Sequence, residues 1–100
     1  MTDPRIKQLA HNLINYSCRL KPGEHVLIEN FGLELELVKE LVSAAYAAGG
    51  CPHVVLHDNA IRRRYLLEAN EETLQLDAQI DLERMKRMDA YIGLRSGVNS

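Results

Sequence analysis

Three short apolar segments rich in branched side chains punctuate this chain: His25–Glu29, Cys51–His57 and Ala90–Leu94. Each has a strand's length and a bulky centre, and the stretches between them have helical periodicity. Strands that alternate with helices need long crossovers, so they pair in parallel and are covered on both faces. The pattern therefore predicts an α/β fold: a three-layer open sheet with mostly parallel strands, helices on both faces and right-handed crossovers.

The helices carry their own start and stop signals. Ile6, Leu9, Ala10, Leu13, Ile14 and Ser17 share one face, with Asp3 as cap, Pro4 in the first turn and Lys21-Pro22-Gly23 as the stop. Leu37, Val38, Leu41, Val42, Ala45 and Ala48 form a second stripe, which belongs in the core. Glu34 and Glu36 stand near its start and Gly49-Gly50 closes it. Asp58 or Asn59 opens a third helix running to about Ala69, and Asn70-Glu71-Glu72 marks a further start. Helix is expected in pieces to Arg87, with Asp77 to Met88 the least regular part, and Met85 and Met88 filling gaps in the core. Arg95 to Ser100 reads as polar loop.

One hundred residues suit one domain, 1–100, and a single modest core. Apolar content of 46% beside 26% charged residues argues against disorder. No apolar run approaches the roughly 18 residues of a spanning helix, and the polar stretch from Met1 to Lys7 does not open an export signal. A formal charge of −2 gives no electrostatic reason to expect nucleic acid or an anionic membrane. With only Phe31 and four tyrosines, a base-stacking platform is not expected either. Cys18 and Cys51 read as free thiols in a reducing cytoplasm.

Ligands of open α/β sheets bind beyond the carboxyl ends of the strands. The loops Asn30–Gly32, His57–Asn59 and Arg95–Asn99 are therefore the candidate substrate-side or interdomain contacts, with Asn30, His57, Asp58, Arg95 and Asn99 as their polar members. Cys51, His53 and His57 alternate onto one strand face. Cys51 and His57 would stand about 20 Å apart at the rise of a strand, too far to share an ion. His57 and Asp58 read more plainly as a strand-end histidine and a helix cap, and His11 and His25 as ordinary surface or helix-end histidines. Arg62-Arg63-Arg64 fans around a helix and has Glu68, Glu71 and Glu72 nearby, so it reads as a solvated, ion-paired face, with phosphate or peptide-carboxylate binding as the alternative. There is no G-x-G-x-x-G, no G-x-x-x-x-G-K-[ST], no G-x-S-x-G and no H-E-x-x-H. Nucleotide binding, serine hydrolysis and zincin chemistry therefore lack a motif.

Three stretches together carry a family resemblance. The first is Leu13-Ile14-Asn15-Tyr16-Ser17 leading into Leu20-Lys21-Pro22-Gly23-Glu24-His25-Val26-Leu27-Ile28. The second is Leu37 to Gly49 leading into Pro52-His53-Val54-Val55. The third is Asn70-Glu71-Glu72-Thr73-Leu74, followed by Asp89-Ala90-Tyr91-Ile92. In order and spacing these resemble the opening of the AmpS, PepS and aminopeptidase T metallopeptidases. The resemblance implies the N-terminal portion of a longer cytoplasmic enzyme that removes N-terminal residues from peptides. Its two divalent metal ions, zinc, cobalt or similar, would polarise the scissile carbonyl and activate a bridging water. The family's ligands come from a later, C-terminal catalytic domain, so the resemblance places no metal ligand and no catalytic residue in this chain, and implies that it is inactive alone. Homodimers are a tendency of the family. Two other readings share the same architecture: a non-enzymatic interaction or assembly module, and a small nucleotide- or phosphate-binding domain.

Overall fold

The computed structural model describes residues 3–32 and 34–95. Helix α1 (Pro4–Asn12) continues into a π-helical turn at Leu13–Ser17, and strand β1 (His25–Asn30) follows. Helix α2 (Leu35–Ala47) leads to β2 (Cys51–Leu56). Helices α3 (Asn59–Glu68) and α4 (Glu71–Lys86) then lead to β3 (Ala90–Leu94). The three strands form one parallel sheet in the order β2-β1-β3, with His25 opposite Cys51 and Val26 opposite Ala90. The expected α/β architecture is the one observed.

The core lies on one face of this sheet. Val26 and Ile28 of the central strand meet Ile92 of β3, Val38, Leu41 and Ala45 of α2, and Ala10 and Ile14 of the first helix. Ile14, Ile28, Leu41 and Val26 are wholly buried, so the apolar stripe read from α2 is core as expected. The first helix departs from the expected single run. After Asn12 its backbone widens, with the Cys18 amide donating to the Leu13 carbonyl at 2.9 Å. Arg19 then takes a left-handed φ of 51°. The extra residue in the turn lets Ile14 and Leu20 both reach the core, a local adjustment that periodicity does not encode. Gly49, at φ +85°, ends α2 in the left-handed region. Its carbonyl accepts from the Gly23 amide at 2.8 Å, fixing the Lys21–Gly23 turn to the far end of the crossover.

The strand order reverses at β1. The α2 connection moves from β1 to β2, whereas α3 and α4 return across β1 to β3. Right-handed crossovers in opposite directions pass over opposite faces. Accordingly α3 and α4 stand over the second face, sharing clefts with Leu27 and Glu29 of β1. They bury none of their side chains. Ile61, Leu66, Leu67, Leu74, Leu76, Ile80, Leu82 and Met85 are all exposed, Leu67 to 71%.

Two expectations fail here. Helix is expected only in pieces to Arg87, with Asp77 to Met88 the least regular part, but α4 is continuous to Lys86. Asn70 caps it by accepting from the Thr73 amide at 2.8 Å, acidic residues occupy its first turn, and Arg84 and Lys86 its last. Contacts one turn apart, Glu71 with Gln75 and Glu83 with Arg87, support the run from its polar side. Met85 and Met88 were expected in the core. Met85 is exposed, and Met88 lines a groove with Leu27 and His53, because this helix never closes on the sheet.

Candidate functional site

Alternation along the strands sets the chemistry of the second face. His25, Leu27 and Glu29 point there from β1, beside Cys51, His53 and Val55 of β2 and Tyr91 and Gly93 of β3. Glu29 is the centre of this face. His57 Nε2–H donates to its Oε2 at 2.6 Å from one side, and the Tyr91 hydroxyl donates to its Oε1 at 2.9 Å from the other. Partial burial pushes the Glu29 carboxyl up, but the hydrogen bonds from His57 and Tyr91 and the charges of His57 and Arg84 outweigh it. The group is held below the usual glutamate value. Burial and the hydrogen bond to Glu29 push the Tyr91 phenol up in turn.

Phe31 lies just beyond β1, and its amide donates to the Leu94 carbonyl at 2.7 Å, which carries the pairing with β3 past the strand end. Its ring stacks on His57 with centroids 4.4 Å apart and planes 6° from parallel. The Arg95 guanidinium lies 4.4 Å from the ring centroid and that of Arg62 lies 5.3 Å from it. Both distances fall within cation–π range. In a 2-1-3 strand order the crevice for ligands opens between β1 and β3, where the chain turns to opposite faces. Phe31 and Arg95 occupy that point.

The loops singled out by sequence do converge. Asn30, Phe31 and Gly32 share one depression with His57, Asp58 and Asn59, and Arg95 reaches Phe31 above it. Their roles differ. Asn30 is buried, and its side-chain amide is spent on the Gly32 backbone, accepting at 3.2 Å and donating at 3.1 Å. Asp58 caps α3 by accepting from the Ile61 amide at 3.0 Å. His57 is half-buried against Glu29, and Arg95 is exposed. Asn99 lies outside the described residues.

Several features escaped the sequence. Glu29 and Tyr91 belong to this cluster although neither was singled out, while Phe31 entered only as a member of the Asn30–Gly32 loop and Arg62 only as part of the arginine run. Of the arginine run, Arg64 pairs with Glu68 at 3.4 Å as expected, whereas Arg62 turns toward the aromatic ring. His25 is not an isolated surface histidine. Its Nδ1 lies 2.8 Å from His53 Nε2 with the rings stacked, and its amide donates to Asp89 Oδ2 at 2.8 Å. The available signal was the period-two face, read jointly over all three strands.

Between the sheet and the α3–α4 pair lies an open cleft of about 650 Å³. Glu29 and Phe31 form its floor, and Tyr65, Leu66, Leu74 and Asp77 belong to its walls. The Tyr65 hydroxyl donates to Asp77, tying α3 to α4.

A family model described as thermophilic metalloprotease (M29) matches residues 2–98. Among solved structures, wild-type AmpT from Thermus thermophilus is similar, with 26% sequence identity and a TM-score of 0.58. That similarity covers 69% of this chain and 18% of the other, so the chain spans less than a fifth of that structure's length. No curated protein matches the chain.

Proposed function

The chain belongs to the thermophilic metalloprotease family M29, and from that premise we propose that it is the N-terminal, non-catalytic portion of a metal-dependent aminopeptidase. The observation that carries this reading is the family match along almost the whole chain, 2–98. The parent enzyme would take peptides as substrates and work in the cytoplasm as a homodimer. Among the described residues no helix is long and apolar enough to cross a membrane.

The metal implied by the family does not fit the side chains here. Among the described residues no group of three or more His, Cys, Asp or Glu is placed to hold an ion. The Glu29 oxygens are engaged by His57 and Tyr91, and His25 and His53 make only a pair. In this reading the two divalent ions, zinc, cobalt or similar, belong to a C-terminal catalytic domain, and no step of the chemistry runs through residues 1–100. What these residues supply is a frame. The strand-end loops face the substrate side, and the uncovered apolar surface of α3 and α4 supports packing against the catalytic domain.

Joining the chain to the remainder of an M29 polypeptide and following hydrolysis of an aminoacyl-p-nitroanilide tests the proposal. Metal-dependent turnover is expected, and substitutions at His57 and Arg95 should alter KM or kcat. Turnover with kinetics untouched by both substitutions would refute the substrate-side role of the loops.

A further inference from the structure

The amino-terminal half of the second face carries a pair of side chains that the proposed function does not use. His25 opens β1 and His53 lies in β2, and both project from that face. His25 Nδ1 stands 2.8 Å from His53 Nε2. Two neutral imidazoles in this contact share one proton, because only one of the facing nitrogens can donate. The outer nitrogens, His25 Nε2 and His53 Nδ1, make no hydrogen bond among the described residues, so either can carry the proton if the inner pair is needed elsewhere. His53 is exposed and His25 half-buried, which leaves the pair open to solvent.

The rings already stand at the spacing of a shared ion. Their centroids are 5.1 Å apart. Two imidazoles on one tetrahedral zinc, at Zn–N of about 2.0–2.1 Å, hold their centroids about 5.2 Å apart and their nitrogens about 3.3 Å apart. A tilt of each ring that opens the nitrogens by about half an ångström therefore turns both lone pairs onto one ion without moving the strands. A square-planar ion would draw the centroids in to about 4.5 Å, so the spacing favours zinc over copper or nickel.

The neighbouring charges tolerate a cation. Arg84 and Arg87 of α4 share a groove with His53. Arg87 is paired with Glu83 at 2.7 Å, and Arg84 lies 4.0 Å from Asp81. The Asp89 carboxylate accepts from the His25 amide at 2.8 Å, which sets a negative charge beside the pair. No third His, Cys, Asp or Glu joins the two rings among the described residues, so the remaining positions on the ion fall to water. We propose that His25 and His53 form a two-histidine site for a single zinc ion, which clamps the edge strand β2 to the central strand β1. The site rests on these two rings and not on the peptidase reading. Two protein donors, half the number of a closed structural site, place the affinity in the micromolar range.

The test is zinc chloride titrated into the 100-residue chain by calorimetry, with the histidine ring nitrogens followed by NMR. One ion per chain should bind, shift His25 Nδ1 and His53 Nε2, and raise Tm by at least about 5 °C at saturation. His25→Gln and His53→Gln should each weaken binding at least about tenfold. His11→Gln, and Cys18→Ser combined with Cys51→Ser, should bind as the native chain does. The ring-nitrogen shifts of the native chain carry the test should a variant fail to fold. Saturation only at millimolar zinc, ring nitrogens of the pair that do not shift, or binding lost with the cysteines rather than the histidines would each overturn the site. None of these outcomes bears on whether the joined enzyme turns over, so the two readings fail separately.

Discussion

Replacing Glu29 by Gln isolates the interaction at the centre of the second face. The amide keeps the shape and can still accept from Tyr91, but it loses the charge that draws His57 Nε2 to 2.6 Å. A hydrogen bond to a charged partner contributes about 1.5–3 kcal/mol. The two side chains are 23% and 26% exposed, which trims the expected loss to about 1–2 kcal/mol through partial solvent screening. For a domain of this size that lowers Tm by about 5–10 °C near pH 7. The pH dependence gives the sharper test. The Glu29 pKa is lower folded than unfolded, so unfolding takes up a proton and stability falls as the medium becomes acidic. The contribution is complete above the ordinary value of 4.5 and is lost as pH falls through the lowered folded value. Melting curves of the native chain and Glu29→Gln, collected by circular dichroism from pH 7 to pH 3, should therefore converge at the acid end. A gap that stays constant with pH, or a variant as stable as the native chain at pH 7, would refute the argument.

Leu41→Ala empties a wholly buried site between α2 and the sheet and should cost about 3 kcal/mol in urea unfolding. Gly49→Ala places a Cβ 3.2 Å from Pro22 at a φ of +85° and should cost at least about 1 kcal/mol, a loss that thermal unfolding would register. Asn70→Ala removes the α4 cap and should cost about 1 kcal/mol, with amide exchange quickening in the first turn of α4. Leu67→Asp, at a side chain 71% exposed, should leave the isolated chain within about 0.5 kcal/mol of native yet weaken its association with an M29 catalytic domain in a pull-down. Unchanged capture would argue against α3 as a docking surface.

The fold was legible where a local signal stood alone. The stripe through Val38, Leu41 and Ala45 with Gly49 beyond it defines α2, and the branched centres of the strands define the sheet. α4 was misread because its regularity lies in caps and charged contacts rather than an apolar stripe, since it buries nothing. The site was half legible. The rule of strand carboxyl ends led to His57, Asp58, Arg95 and the loop that holds Phe31, but not to Glu29 or Tyr91. Glu29 meets His57 across 28 positions and Tyr91 across 62, and only the β2-β1-β3 order and its register bring them together. Asn30 lies in the depression these loops share, and its side chain locks a turn by bonding the Gly32 backbone.

The central claim is that residues 1–100 form the non-catalytic frame of an M29 aminopeptidase. Hydrolysis of leucyl-p-nitroanilide in the presence of zinc or cobalt tests it most directly, measured for this chain alone and for the chain joined to an M29 catalytic domain. The account predicts turnover only for the joined protein, abolished by a chelator. Metal-dependent turnover by the 100-residue chain itself would contradict it.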